Sequence, residues 1–225
     1  MALPPLHLAI IPDGNRRWAR QRALAPWLGH QQAIENSRSL IDWCYQHPRI
    51  ATVTFWGFST ENWQRRDEEI KHLMRLYEQF LRQEREKFNR NKTRLAHSGR
   101  LDRIPPSLAR LITDLSAETA DYTTFTLNFA LDYSGKDEII RAVHRLSDLQ
   151  AVTEENFRQY LDQPALPDID LVIRTSGEQR TSGFALWQSA YAEWIFVPKF
   201  YPDFSVADLE QALTQYGQRA RRFGT

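Results

Sequence analysis

The stretch Leu6-His7-Leu8-Ala9-Ile10-Ile11-Pro12-Asp13-Gly14-Asn15-Arg16-Arg17-Trp18 decides the fold. Its first half, Leu6 to Ile11, is too short for a helix and almost continuously apolar, the mark of a parallel strand buried on both faces. The strand must stop at Pro12, which has no N–H for a sheet ladder, and the chain must turn through Gly14 and Asn15. A helix starting near Arg16 then points free N–H groups and the positive end of its dipole at the strand's carboxyl end, where open α/β sheets hold their ligands. Asp13 stands on that edge, and Arg16, Arg17, Arg20 and Arg22 follow it. A carboxylate among backbone donors and arginines points to magnesium and phosphate held together. The glycine spacing of a P-loop or of a dinucleotide fingerprint is absent.

Outward from this stretch, strands and helices alternate. Ala33, Ser37, Leu40, Ile41 and Cys44 recur at helical spacing between Gly29 and His47. Ala51 to Phe58 is a second buried strand, and the polar run from Ser59 to Arg66 leaves it before the acidic first turn of a helix spanning Asp67 to about Asn89. A short strand at Leu95 to His97, a helix from Pro105 to Tyr122 and a strand from Thr124 to Phe129 come next. Asn128 to Lys136 is then expected to form a loop leading into a helix through Val143. Asp170 to Arg174 is a further strand with a polar exit running to Gly183, Trp194 to Val197 a last strand, and Val206 to Arg222 a last helix. This order predicts an α/β fold with a mainly parallel central sheet flanked by helices. The exits at Asp13, Ser59, Asn128 and Arg174 then gather on one edge, with room for two anionic groups.

Composition narrows the function. A chain of 225 residues with 42% hydrophobic content suits one large domain, 1–225. Twenty-nine basic against 28 acidic residues leave a formal charge of +1, which argues against a nucleic-acid-coating surface and makes any phosphate recognition local. The single cysteine, Cys44, excludes an internal disulfide and a cysteine-rich zinc site and fits a reducing compartment. No apolar run approaches the roughly 18 residues of a membrane span. The expectation is a cytoplasmic enzyme, with any membrane contact peripheral and at the inner face.

Ordered motifs extend along almost the whole chain: Asp13-Gly14-Asn15 with Arg17-Trp18-Ala19, Gly29-His30, and Phe58-Ser59-Thr60-Glu61-Asn62-Trp63 with Arg65. They continue through Asn128 to Gly135, Ile173 to Arg180, Trp187 to Glu193, Pro202-Asp203-Phe204 and Arg221-Arg222-Phe223-Gly224. Together they resemble the cis-prenyltransferases, typified by undecaprenyl diphosphate synthase. The resemblance implies condensation of isopentenyl diphosphate with an allylic prenyl diphosphate, a new cis double bond, release of diphosphate, a Mg2+ cofactor, a homodimer, and an apolar tunnel between sheet and helices. It implies catalytic roles for Asp13, Asn15 and Asn62, with Asp13 organising magnesium and the departing diphosphate. Gly14, Asn15, Arg16 and Arg17 with His30 and Arg65 would cradle the allylic diphosphate; Arg174, Arg180 and Ser182 would receive isopentenyl diphosphate. Trp18, Ser59, Glu61 and Trp63 complete the substrate-binding set, although Trp18, Trp63 and Trp187 are mainly packing residues. Glu193 would join Asp13 as a metal ligand near the dimer interface.

Sparse carboxylates suit this chemistry, because magnesium takes few protein ligands and completes its shell with water and substrate phosphates. The proton leaving isopentenyl diphosphate needs an acceptor other than arginine, and Asn15, Ser59 and the diphosphate itself all remain open. The chain departs from the family pattern at Pro12, Arg16, Pro26, Arg66 and Gly183; Arg16 or Arg66 would replace the phosphate-binding charge lost at Pro26. Trp56, Leu131, Tyr77 and Phe80 are bulky groups that would shorten a tunnel if they pointed into it. Competing classes are a non-catalytic partner subunit of the same fold and a magnesium-dependent phosphohydrolase or nuclease. The aspartate-rich motifs of the all-helical trans-prenyltransferases are absent.

Overall fold

A computed structural model describes residues 4–219. Strand β1 (Leu6–Ile11) is buried at every position, as its apolar run requires, and leads into α1 (Asn15–Gln21) and α2 (Pro26–Gln46). The chain continues through β2 (Ile50–Ser59), a short 3-10 turn (Thr60–Gln64), α3 (Asp67–Arg90), β3 (Thr93–Ser98), α4 (Pro106–Glu118), β4 (Phe125–Tyr133) and α5 (Gly135–His144). After α6 (Glu154–Phe157) come β5 (Leu171–Arg174), β6 (Glu193–Phe196) and α7 (Val206–Gly217).

The strands form one six-stranded sheet in the order β3-β4-β2-β1-β5-β6. Every pairing is parallel. Ile11 lies opposite Arg174, which puts the Asp13 turn beside the exit of β5. Side-chain alternation gives the sheet two different faces. Leu8, Ile10, Val53, Phe55, Leu127 and Phe129 belong to the large core shared with α2, α3 and α4. Opposite them, His7, Thr54, Asn128 and Ser98 form a buried hydrogen-bonded group, and Ala9, Ile11 and Val172 pack with Phe184.

Three expectations change. β4 runs to Tyr133, so Asn128 is a buried residue inside a strand that donates to Thr54 and Ser98, and the turn begins at Ser134. Near-complete burial of both faces keeps the segment extended where polar residues suggested a loop. α2 begins at Pro26, three residues before the sequence reading, because proline suits a first helical turn. The last helix ends at Gly217, and Gln218 and Arg219 turn out of it rather than extending it; the rest of the expected extension to Arg222 and the Arg221-Arg222-Phe223-Gly224 motif lie outside the described residues.

Candidate active site

The site is built around the turn after β1. Gly14 adopts φ +97°, and a Cβ there would sit 2.5 Å from Phe200 Cδ1 and 2.9 Å from Ser176 Cβ. Only glycine permits both the conformation and the approach. Thr175, following β5, locks the turn from the other side: its Oγ1 accepts from the Asp13 N–H at 2.9 Å and donates to the Asp13 carbonyl at 2.8 Å. The Asp13 carboxylate accepts at Oδ1 from the Gly14 N–H at 2.6 Å and at Oδ2 from Arg174 Nη2 at 2.9 Å. Arg174 is buried and also donates from Nη1 to Ser182 Oγ at 2.9 Å and to the Arg180 carbonyl. The β5 exit is thereby folded over the Asp13 turn. Arg17 completes that side, with Nη2 donating to Ser176 Oγ at 2.7 Å and lying 3.6 Å from Asp13 Oδ1, and with Nη1 3.0 Å from Glu178.

A second cluster faces the first across a cavity. Gly29 of α2 packs so closely on α1 that a Cβ there would be 2.1 Å from the Asn15 carbonyl oxygen, which brings His30 beside Asn15. Asn15 Nδ2 donates to the Pro12 carbonyl at 3.2 Å and lies 3.4 Å from His30 Nδ1. On the first turn of α3, Glu69 Oε1 accepts from Arg65 at 3.4 Å and lies 3.5 Å from His30 Nε2 and 3.7 Å from Arg16 Nε. One carboxylate oxygen thus gathers three basic groups loosely. Burial lowers the His30 pKa, so the ring is neutral near pH 7. The His30 ring facing it, with Arg65 and Arg16, holds the Glu69 carboxyl below its ordinary range.

Asp13, Asn15, His30, Ser59, Asn62, Arg65, Arg174 and Ser182 all line the same cavity. Ser59 and Asn62 are fixed by a reciprocal cap on the 3-10 turn, in which the Ser59 N–H donates to Asn62 Oδ1 at 3.2 Å. Arg16 and Arg17 line the adjoining depression with Gly14 and Arg65. Arg16 therefore lines the depression beside Asp13, whereas exposed Arg66 is the cap residue of α3 and lines neither space.

Other sequence-selected residues lie elsewhere. Trp18 donates to Asp203 at 2.7 Å, and Trp63 donates to buried Asp132 at 2.8 Å while packing edge-on against Phe58, so both act in packing rather than in the cavity wall. Glu61 is exposed on the 3-10 turn, and the Arg180 guanidinium pairs with Glu178 at the surface, leaving its carbonyl to serve Arg174. Glu193 opens β6, opposite Leu171 and paired with Arg219 at 2.7 Å. Asp13 lies beyond the other end of the neighbouring strands, on the order of 15 Å away along the sheet. One chain does not bring these two carboxylates together. Glu69 and Thr175 escaped the sequence reading: the first looked like an ordinary acidic first turn, and the second lay inside a quoted motif with no sign that it clamps Asp13.

Three buried polar atoms around the cavity have no hydrogen-bond partner: Asn15 Oδ1, His30 Nε2 and Arg174 Nε. Such atoms are left to water or to a ligand. A half-exposed carboxylate amid arginines, with two strand exits and a helix N-terminus converging, fits an anionic phosphorylated substrate. Against known proteins, the model of the family described as putative undecaprenyl diphosphate synthase matches residues 11–224. The chain belongs to the undecaprenyl diphosphate synthase family.

Isoprenyl transferases of this family from Aquifex aeolicus and Thermotoga maritima are each 42% identical to the chain, covering 98% of it and 96% and 97% of their own lengths. A crystal structure of lavandulyl diphosphate synthase from Lavandula x intermedia in complex with dimethylallyl diphosphate superposes with a TM-score of 0.92 at 34% identity, covering 98% of both chains. A probable undecaprenyl diphosphate synthase from Campylobacter jejuni matches over the full length of both chains, with TM-score 0.83 and 31% identity. Membership in this family makes the chain a cis-prenyltransferase.

Proposed function

We propose that the chain condenses isopentenyl diphosphate with an allylic diphosphate in a Mg2+-dependent reaction. The observation that carries this reading is the bond from buried Arg174 to both Asp13 and Ser182, which joins two phosphate-binding exits in one cavity. The site residues fit magnesium: Asp13 is a single carboxylate with space beside it, and among the described residues no group of three acidic, histidine or cysteine side chains forms a closed protein cage. Bound there, the ion would neutralise charge on the departing diphosphate.

His30, Arg65, Arg16 and Arg17 hold the allylic diphosphate, while Arg174 and Ser182 orient isopentenyl diphosphate with its alkene toward the allylic carbon. The allylic C–O bond breaks, and a C–C bond forms to the terminal alkene carbon. A proton then leaves the adjacent carbon and the double bond shifts. The departing diphosphate takes that proton in this reading, because the arginines are already protonated and an ionised diphosphate is a far stronger base than the Asn15 amide or the Ser59 hydroxyl. Preorganised cations stabilise the charge that develops on the leaving group.

The active form is a homodimer in this reading. Exposed Ile140, Val143, Leu186 and Tyr191 supply apolar surface for a second copy, and Glu193 reaches a metal only beside another chain's site. The enzyme is cytoplasmic, in keeping with its single buried cysteine; no helix among the described residues is long and apolar enough to cross a membrane. Exposed Leu24, Trp27 and Leu28 next to Arg20 and Arg22 suit peripheral contact with the inner face. The test is incorporation of labelled isopentenyl diphosphate onto an allylic primer with magnesium and with excess chelator. Incorporation abolished by chelation supports the reading; incorporation unaffected by chelation removes the metal, and none at all under either condition removes the reaction.

A further inference from the structure

Beyond the polar mouth, the cavity runs between the sheet and helices α2 and α3, where its wall becomes aromatic. Phe55 and Phe129 rise from the sheet, Tyr77 and Phe80 descend from α3, and Tyr201 closes the side next to α2. The ring centroids of Phe80 and Phe129 are 5.5 Å apart and those of Phe55 and Phe129 6.5 Å. No channel continues between rings at those spacings.

These rings are held by polar bonds behind them. Tyr77 donates to the Gly57 carbonyl at 2.6 Å, and Tyr201 shares a 2.7 Å hydrogen bond with Ser37. Phe80 is backed by the Arg38 guanidinium, 5.0 Å from the ring centroid. Arg38 is tied in turn to buried Glu84 and to Gln83, so Phe80 cannot swing toward the gap between α2 and α3 without breaking a partly buried ion pair. Leu131 fills the remaining space beside β2, since even a methyl group added at Gly57 would lie 2.8 Å from its Cδ2.

The free volume of the whole cavity, mouth included, is about 220 Å³. An apolar cavity of roughly 150 Å³ holds one benzene, and drug-sized ligands occupy about 300–1,000 Å³. Resting on the function proposed above, we propose that this is a short-chain enzyme, whose product stops at about two to three isoprene units because Phe80 and Phe129 form a fixed floor. Each condensation adds one isoprene unit and pushes the tail toward that floor; the next cannot begin once the tail meets it.

The experiment incubates the purified chain with labelled isopentenyl diphosphate, magnesium and dimethylallyl, geranyl or farnesyl diphosphate in turn, then sizes the dephosphorylated products by chromatography. Products of about two or three units are expected from the two shorter primers, with little extension of the farnesyl primer. Phe80→Leu and, separately, Phe129→Ile should each lengthen the product by about one unit or more. Circular dichroism identifies any variant that fails to fold, in which case the other variant and the wild-type length decide. Long polyprenyl products from the wild type, or folded variants with unmoved product lengths, overturn the short-chain proposal while leaving prenyl transfer intact. No product from any primer overturns the function itself, and the length limit with it.

Discussion

Arg174 Nη2 donates to Asp13 Oδ2 at 2.9 Å, joining residues 161 positions apart in the chain. The pair unites the exits of two adjacent strands, and the buried arginine's Nε has no partner within the protein. Asp13→Ala is expected to lower turnover by about a hundredfold or more, the scale on which preorganised charge acts in catalysis. Arg174→Lys should raise the KM for isopentenyl diphosphate as well as lowering kcat, because an ammonium cannot contact Asp13, Ser182 and a phosphate in the same plane. Steady-state kinetics with each substrate varied separately checks both.

Glu69 is an anion inside the proposed diphosphate cradle. Its single oxygen shared by Arg65, His30 and Arg16 at 3.4–3.7 Å holds them in place without engaging any fully. Glu69→Gln keeps the shape and removes the competing charge. Inorganic pyrophosphate should then inhibit about fivefold more strongly, roughly 1 kcal/mol at the effective dielectric of a partly buried site. Competitive inhibition against the allylic primer measures it, and weaker inhibition would show that positioning outweighs charge.

Trp63 acts through Asp132. That carboxylate is fully buried, with the backbone at φ +50°, and it is satisfied by Trp63 Nε1 at 2.8 Å and Arg103 Nε at 2.7 Å. Trp63→Phe removes one donor and leaves part of a buried charge unpaired, at a cost of about 1–3 kcal/mol. Chemical denaturation gives the loss directly. Because Trp63 anchors the turn carrying Asn62 and Arg65, the same variant should raise the KM of the allylic substrate.

Acid should destabilise the protein well before its carboxylates titrate. Burial lowers His7 and His97 to about 4, against an ordinary value of 6.5. Below pH 6.5 the unfolded chain binds protons that the folded chain refuses, so stability falls as pH drops and levels off near pH 4. Each histidine contributes roughly 2–3 kcal/mol of this loss by pH 4.5. Denaturation midpoints at pH 7, 5.5 and 4.5 test it, and replacing His7, which bridges Thr54 and the Pro167 carbonyl, should flatten the slope.

Local sequence chemistry made the parallel α/β fold legible. Leu6 to Ile11 could only be a buried strand, Pro12 could only end it, and Asp67 to Asn89 carries its apolar stripe through to within one residue of the observed helix end. The ordered motifs also located Asp13, Asn15, His30, Arg65, Arg174 and Ser182, which one cavity brings together. Asn128 misled because a polar side chain inside a strand looks like a loop until its partners, Thr54 and Ser98, arrive from other strands.

The sequence alone therefore determined the elements, their alternation, and the family chemistry at the strand ends, since these depend on spacing along the chain. The tertiary structure decided what depends on distances across it. It set Glu193 apart from Asp13, put Glu69 beside Arg65 and Arg16, gave Trp18 and Trp63 their partners Asp203 and Asp132, and closed the cavity with Phe80 against Phe129. Side-chain direction and long-range contact follow from how helices and strands pack, and no local pattern encodes them.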